Sequence, residues 1–337
     1  MRFSVRTSIR LALTAAALAA ATSAQAYTQI VAFGDSLSDN GNLHALMAKF
    51  NVDTPASPYF DGRFSNGPVA VEVMAQQLGL ALDDRAYGGA TTGTGNKTAT
   101  PILDATGMTS QVNRYLGEKS NAVDTEALYF VWGGGNDVFK LLDSATPITT
   151  ESVSLVLAQA RANYEGMIRS LDAGGAQHFF LPTLPDLGAS GLGYAGGAQL
   201  QAALHQISVG YNQGLAYTAN KLETELGIDI TLFDVYPSFL AVTQQIVGAG
   251  GSASLPCWTG SYTGTGGTLC TDPDKHVLFD QVHPTAYVHN FLGQQMAAAV
   301  PEPGTWALSF TGLLAVGALA RRRQQAAAVK PEPVTCS

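Results

Sequence analysis

At 337 residues, with 46% hydrophobic and 13% charged side chains, the chain has material for one large or two small domains and a sizeable core. Lys and Arg number 18 against 26 Asp and Glu, a formal charge of −8, and residues 27–300 alone hold 24 acidic and 11 basic residues, a charge of −13. A body this acidic repels polyanions, which argues against nucleic acid as a partner and for a neutral substrate.

From the N-terminus, Arg2, Arg6 and Arg10 precede an apolar stretch from Leu11 to about Ala21, and Ala24-Gln25-Ala26 has the small-x-small form of a cleavage site. Residues 1–26 read as a secretory signal peptide cut before Tyr27, with a core too short and alanine-rich for a transmembrane helix. Strands are expected over Thr28–Phe33, Leu80–Tyr87, Ala127–Trp132, Gln177–Pro182 and Ile228–Val235, the second being the least regular. Helices are expected over Pro68–Leu78, Thr109–Lys119, Glu151–Asp172, Gly197–Leu226 and Pro284–Ala299. Strands alternating with amphipathic helices predict an α/β fold, a central parallel sheet with helices on both faces. Ligands then bind at the carboxyl ends of the strands. Asn51–Asn66 and Val247–Asp274 lack periodicity and read as long loops, the second serving either as a substrate wall or as a surface excursion. No repeat or low-complexity linker divides residues 27–300, which read as one domain.

Gly34-Asp35-Ser36-Leu37 ends the first strand and precedes an expected helix, placing the Ser36 hydroxyl at a strand-to-helix turn where nucleophiles are often presented. The same three residue types are also ordinary turn formers. A serine nucleophile needs a base, a group to orient the base, and donors for the oxyanion. His283 is the base candidate. Asp280 lies three residues before it, a spacing that lets a carboxylate fold back onto the imidazole in a turn. Pro284 pushes His283 out of the helical region and suits the first position of the following helix. The other five histidines, His44, His178, His205, His276 and His289, read as surface or packing residues. For the oxyanion, Gly88-Gly89-Ala90 follows the second strand and offers a backbone N–H, while Asn136, in Gly133-Gly134-Gly135-Asn136-Asp137 after the third, offers an amide. Each glycine run is equally readable as a plain turn.

Other signals are weaker. Gly-x-Ser-x-Gly does not occur, and Gly191-Leu192-Gly193-Tyr194-Ala195-Gly196, a lone Gly-x-Gly-x-x-Gly, lies beyond its nearest strand, against a nucleotide site. Cys257 and Cys270 flank a Gly/Ser/Thr-rich loop and are expected to pair in an exported protein, while Cys336 lies apart. No second Cys/His pair stands at zinc spacing and no His-Glu-x-x-His occurs, so no metal is expected.

Together these motifs resemble the GDSL esterase/lipase family, the SGNH hydrolases. The likeness runs over residues 27–300. It rests on Ser36 in Gly34-Asp35-Ser36-Leu37-Ser38-Asp39-Asn40-Gly41-Asn42, Gly89 in Ala86-Tyr87-Gly88-Gly89-Ala90, Asn136 in Gly134-Gly135-Asn136-Asp137, and Asp280-x-x-His283. Gly62-Arg63-Phe64-Ser65-Asn66-Gly67 and Leu184-Pro185-Asp186-Leu187-Gly188 add to it, while Asp84-Arg85 stands where relatives often have Asn and an aromatic. The resemblance implies a flavodoxin-like three-layer α/β/α sandwich and hydrolysis of acyl esters without metal or cofactor. It assigns Ser36, Asp280 and His283 to catalysis, and the Ser36 and Gly89 N–H groups with Asn136 to the oxyanion. Its substrates would be small-molecule, lipid or glycan esters. A lipase or carboxylesterase, an O-acetyl esterase trimming exported polysaccharide, and a non-catalytic matrix-associated module are the readings it leaves open.

At the far end, Val300-Pro301-Glu302-Pro303-Gly304 leads into an uncharged, mostly apolar segment from Thr305 to Ala320, closed by Arg321-Arg322-Arg323. Residues 301–323 resemble the PEP-CTERM sorting signal, which implies processing by an exosortase-type transpeptidase, transient membrane anchoring and a surface, extracellular or periplasmic location. The extension 324–337 runs past the point where such signals usually end.

Overall fold

The computed structural model describes residues 27–301. The expected signal peptide, the bulk of the sorting segment, the C-terminal extension and Cys336 lie outside the described residues. Five strands, β1 (Gln29–Gly34), β2 (Ala81–Asp84), β3 (Leu128–Trp132), β4 (His178–Pro182) and β5 (Asp229–Phe233), pair in parallel in the order β2-β1-β3-β4-β5. Registers such as Ile30 with Leu82, Val31 with Tyr129 and Phe180 with Thr231 hold the sheet together. β3 is buried throughout, as expected of a strand covered on both faces. The chain steps outward in opposite directions from β1 and β3, and this reversal creates the crevice in which doubly wound sheets hold ligands.

Helices α2 (Ala70–Leu78), α8 (Val235–Gly248) and α9 (Ala286–Ala299) pack together as one layer. The opposite layer joins α3 (Met108–Glu118), α4 (Gly135–Leu142), α5 (Thr150–Ala173) and α7 (Gly197–Leu226), with the short α6 (Gly191–Ala195) against α7. Its core meets Val31, Phe33, Tyr129, Val131 and Phe179 of the sheet with Met108, Tyr115, Met167, Ile168 and Tyr211 of the helices. The architecture is the three-layer α/β/α sandwich with a central parallel sheet that the sequence implied.

Several boundaries differ from expectation. The helix anticipated directly after Ser36 starts only at Asn42, as α1 (Asn42–Ala48), so Ser36 sits in a turn closed by the Ser38 and Asp39 N–H groups on the Asp35 carbonyl. β2 ends early because the Asp84 carboxylate accepts the N–H groups of Ala86 and Asn40 and turns the chain. The strand expected to reach Val235 stops at Phe233. Asp234 then accepts the Tyr236 N–H and caps α8, a helix hidden in the sequence by Pro237, which the first turn tolerates. Gly135-Asn136-Asp137, read within a glycine run after the third strand, instead open a helix, Gly135–Leu142. Finally, α9 begins at Ala286 rather than Pro284, since the Asn66 side chain accepts the Ala286 N–H and Ser65 Oγ engages the Pro284 carbonyl.

One packing residue has a consequence for acid stability. His289 of α9 is fully buried and accepts the Ala70 N–H at Nδ1, so Nε2 carries the proton, with no partner among the described residues. Burial, then the neighbouring His283, push its pKa down to about 3 from 6.5. A base whose folded pKa lies below its unfolded one binds its proton less well when folded. It adds no penalty above about pH 6.5 and costs about 1.4 kcal/mol per pH unit as pH falls towards the folded value. We expect His289→Gln to lose less melting temperature than the parent between about pH 6.5 and 4.5. Equal slopes for the two proteins would contradict this account.

Candidate active site

The carboxyl ends of β1 and β3 and the loop before α9 converge on one point. His283 Nε2 lies 2.7 Å from Ser36 Oγ, and both side chains are buried. His283 Nδ1 lies 2.8 and 2.9 Å from the two Asp280 oxygens. Asp280 Oδ1 also accepts the N–H groups of Val282 and His283, each at 2.9 Å. These bonds are why the three-residue spacing works, because the carboxylate ties off the turn that carries the imidazole. Burial pushes the Asp280 carboxyl up. The His283 charge, the His283 side-chain hydrogen bond and the two backbone N–H groups outweigh it and hold it below its ordinary value. With Nδ1 committed to the carboxylate, Nε2 is left to accept a hydrogen bond from Ser36 Oγ.

Gly34, where β1 ends, is gripped by the Gln111 side chain, which accepts the Gly34 N–H and donates to its carbonyl. Beyond it, the buried Asp39 carboxylate accepts N–H groups from Gly41, Asn42, Leu43 and, across the crevice, Gly88. Asp39 thereby ties the Ser36 turn to the segment carrying Gly89. Gly89 has φ +75°, and a Cβ there would lie 2.5 Å from the Asn96 side-chain oxygen, so only glycine fits. Among the described residues, neither the Ser36 nor the Gly89 backbone N–H is spent on another hydrogen bond.

Asn136 occupies the first turn of α4. Its Nδ2 donates to the Ala90 carbonyl at 3.1 Å and, over a longer 3.3 Å, to Asp35 Oδ2. The turn before it is clamped by two buried tyrosines on Gly133: Tyr211 donates to its carbonyl and the Tyr164 hydroxyl accepts its N–H. Gly134 follows at φ +117°, where a Cβ would meet the Tyr211 hydroxyl at 2.2 Å. Burial raises the Asp35 carboxyl to about 6, against the opposing Leu37 N–H bond and the His283 charge.

The loop 59–67 clasps the Asp280–Ala286 segment. Tyr59 donates to Asp280 Oδ2 at 2.8 Å, and the Phe64 ring lies 5.0 Å from that of His283. Ser65 and Asn66 make the bonds to Pro284 and Ala286 described above. Cys257 and Cys270 are joined by a disulfide. The loop they close places Tyr262 beside Phe64 and His283, while Cys257 and Trp258 donate backbone N–H groups to Leu278 and Phe279. The loop is therefore a wall of the site, not a remote excursion.

A cleft of about 500 Å³ opens over Ser36 and His283. Leu43, Met47, Phe64 and Leu103, which pack together, line it along with Phe139, Leu184, Leu187, Leu192 and Phe239. Ser36, Gly89, Asn136 and His283 all line it, with Asp280 behind His283. Sequence reasoning missed Tyr59, Asp39, Gln111, Tyr164 and Tyr211. Only Asp39, inside the first motif block, carried a signal.

A family model described as GDSL-like Lipase/Acylhydrolase matches residues 30–296, which makes this chain an ester-bond hydrolase. It belongs to the GDSL-like lipase/acylhydrolase family. A second model, described as a PEP-CTERM protein-sorting motif, matches residues 299–324. The chain is 30% identical over 256 residues to a phosphatidylcholine-sterol acyltransferase of Aeromonas hydrophila, covering 75% of this chain and 72% of that one. It is also 30% identical over 284 residues to the thermolabile hemolysin of Vibrio parahaemolyticus, covering 80% of this chain and 62% of that one. Among solved structures, a lipolytic protein of the G-D-S-L family from Veillonella parvula aligns with a TM-score of 0.42 and 13% identity, covering 81% of this chain and 97% of that one.

Proposed function

We propose that this protein is an exported serine esterase or lipase that hydrolyses carboxylic esters of fatty acyl chains through an acyl-enzyme on Ser36. The observation that carries this reading is the 2.7 Å contact between Ser36 Oγ and His283 Nε2 at the floor of an apolar cleft. In the first step Ser36 Oγ bonds to the ester carbonyl carbon as its proton moves to His283 Nε2. Negative charge develops on the carbonyl oxygen, which the Ser36 and Gly89 N–H groups and the Asn136 amide receive. The Asn136 N–H that makes the longer bond, to Asp35, is the one that turns to donate a hydrogen bond to that oxygen. His283 then protonates the leaving alcohol as the carbon–oxygen bond breaks. Water attacks the acyl-enzyme, His283 takes its proton, and the acid departs as Ser36 recovers the hydrogen. Asp280 keeps Nδ1 protonated and stabilises the imidazolium.

The apolar lining supports an acyl chain over an acetyl group, because each methylene removed from water contributes about 0.8 kcal/mol of binding. Export is supported by the sorting motif at residues 299–324 together with the N-terminal pattern. Reaction with a fluorophosphonate followed by peptide mass spectrometry tests the nucleophile, and an adduct elsewhere than Ser36 would overturn the assignment. Nitrophenyl esters of graded chain length against acetylated glycans test the substrate. We expect kcat/KM to rise from acetate towards medium chains, and a preference for acetylated glycan would instead favour the O-acetyl esterase.

A further inference from the structure

The Asp280 carboxylate has one hydrogen bond that neither its own loop nor His283 supplies. It comes from Tyr59, 221 positions away in sequence. The phenol is 5% exposed, and its ring stands edge-on to Phe279 with centroids 5.1 Å apart. Its backbone is held as well. Tyr59 N–H donates to Ala56, whose own N–H donates to Tyr262 of the disulfide-closed loop. Two fixed walls therefore aim the hydroxyl at Oδ2, the oxygen 2.8 Å from His283 Nδ1. With Val282 and His283 N–H on Oδ1 and Tyr59 on Oδ2, Asp280 meets the imidazole in a single orientation.

We propose that Tyr59 is a positioning residue for the reaction, holding Asp280 and setting how strongly that carboxylate attracts the proton on His283. The proposal rests on the assignment of Ser36, His283 and Asp280 made above. Burial and the Asp280 charge push the phenol far above its ordinary titration range, so it donates throughout the working pH range. A donor on a carboxylate draws charge from the oxygen that faces the imidazole. Its removal concentrates charge on Oδ2 and makes imidazolium easier to form. Ester turnover needs neutral His283, so the acidic limb of kcat/KM should move to higher pH. Besides Asp280, from which the change removes a donor, the titratable groups facing His283 are Asp35, His289 and Tyr262; the first two make no hydrogen bond to Tyr59, and phenylalanine keeps the ring contact with Tyr262.

Tyr59→Phe keeps the ring and its edge contacts and removes only the donor. We expect kcat to fall about tenfold with KM within about twofold, and the acidic midpoint of kcat/KM to rise by about half a pH unit. In an Asp280→Asn background the same change should have little further effect, because the two act through one hydrogen bond. If Asp280→Asn is crippled while Tyr59→Phe keeps the parental rate and pH profile, Tyr59 has only a packing role and the proposal is wrong. If Asp280→Asn itself turns over at the parental rate, the reading of the site fails and the role of Tyr59 falls with it. A fall in kcat without movement of the acidic limb, accompanied by a lower melting temperature, also overturns the proposal, since it marks loosened packing.

Discussion

Purified Ser36→Ala is expected to lose ester turnover by about 10⁵–10⁶ in kcat while melting within a few degrees of the parent. The two halves of that result have separate origins. The hydroxyl is the proposed attacking atom, and among the described residues no other side chain makes a hydrogen bond to His283 Nε2. For stability the hydroxyl matters little. It makes one side-chain hydrogen bond, typically about 1 kcal/mol net, and the alanine methyl fits the space it leaves. The turn around position 36 is built from backbone bonds to Asp35, which the substitution does not touch. Steady-state kinetics and a thermal melt on one preparation check both halves. Retained turnover with a normal melt would remove Ser36 from the mechanism. Lost turnover with a collapsed melt would mean only that the protein had unfolded.

The second large effect is at Asp280. Asp280→Asn should lower kcat by about 10⁴ with KM changed little. The carboxylate accepts from the N–H groups of Val282 and His283, from Tyr59 and from His283 Nδ1. An amide has one oxygen, so whichever donors keep it, the –NH₂ must face another donor. If it faces His283, Nδ1 must accept, the proton moves to Nε2, and the base can no longer take the Ser36 hydrogen. If it faces the backbone N–H groups, the turn that positions the imidazole opens. A stopped-flow burst distinguishes the cases from slow product release, because acylation itself should be slow. A variant with a parental burst and a slow steady state would place the defect after acylation and exclude this account. The acid behaviour of the pair has a definite sign. Asp280 is held below its ordinary carboxylate value, so its contribution to stability is complete above that value and is lost as pH falls through the folded pKa. His289 acts in the same direction, while Asp35, raised to about 6, acts in the opposite one.

Much of the site was legible because each element of it is short-range. Ser36 follows an apolar strand, Gly89 and Asn136 follow two others, and Asp280 with His283 is a local turn. Each could be found within a window of ten residues. What supports them is not local. Asp39 links the first motif to Gly88 across 49 positions, Gln111 reaches Gly34 across 77, and Tyr211 reaches Gly133 across 78. A tyrosine or glutamine inside an amphipathic pattern has no mark that separates a core residue from a strut. The helix boundaries missed near Asp234 and Pro284 have a related cause: side-chain caps, here Asp234 and Asn66, decide where the helix starts.

The sequence by itself determined the parallel α/β arrangement, the order of the motifs and the side-chain types available to the candidate site, because hydrophobic period and motif spacing act within one element at a time. Only the tertiary structure decided that the loop 59–67 and the disulfide-closed loop wall the site, that Tyr59 completes Asp280, and that apolar side chains from both sides of the sheet reversal line one cleft. These contacts join segments separated by up to 221 positions. They arise from how the layers pack, which local propensity does not encode.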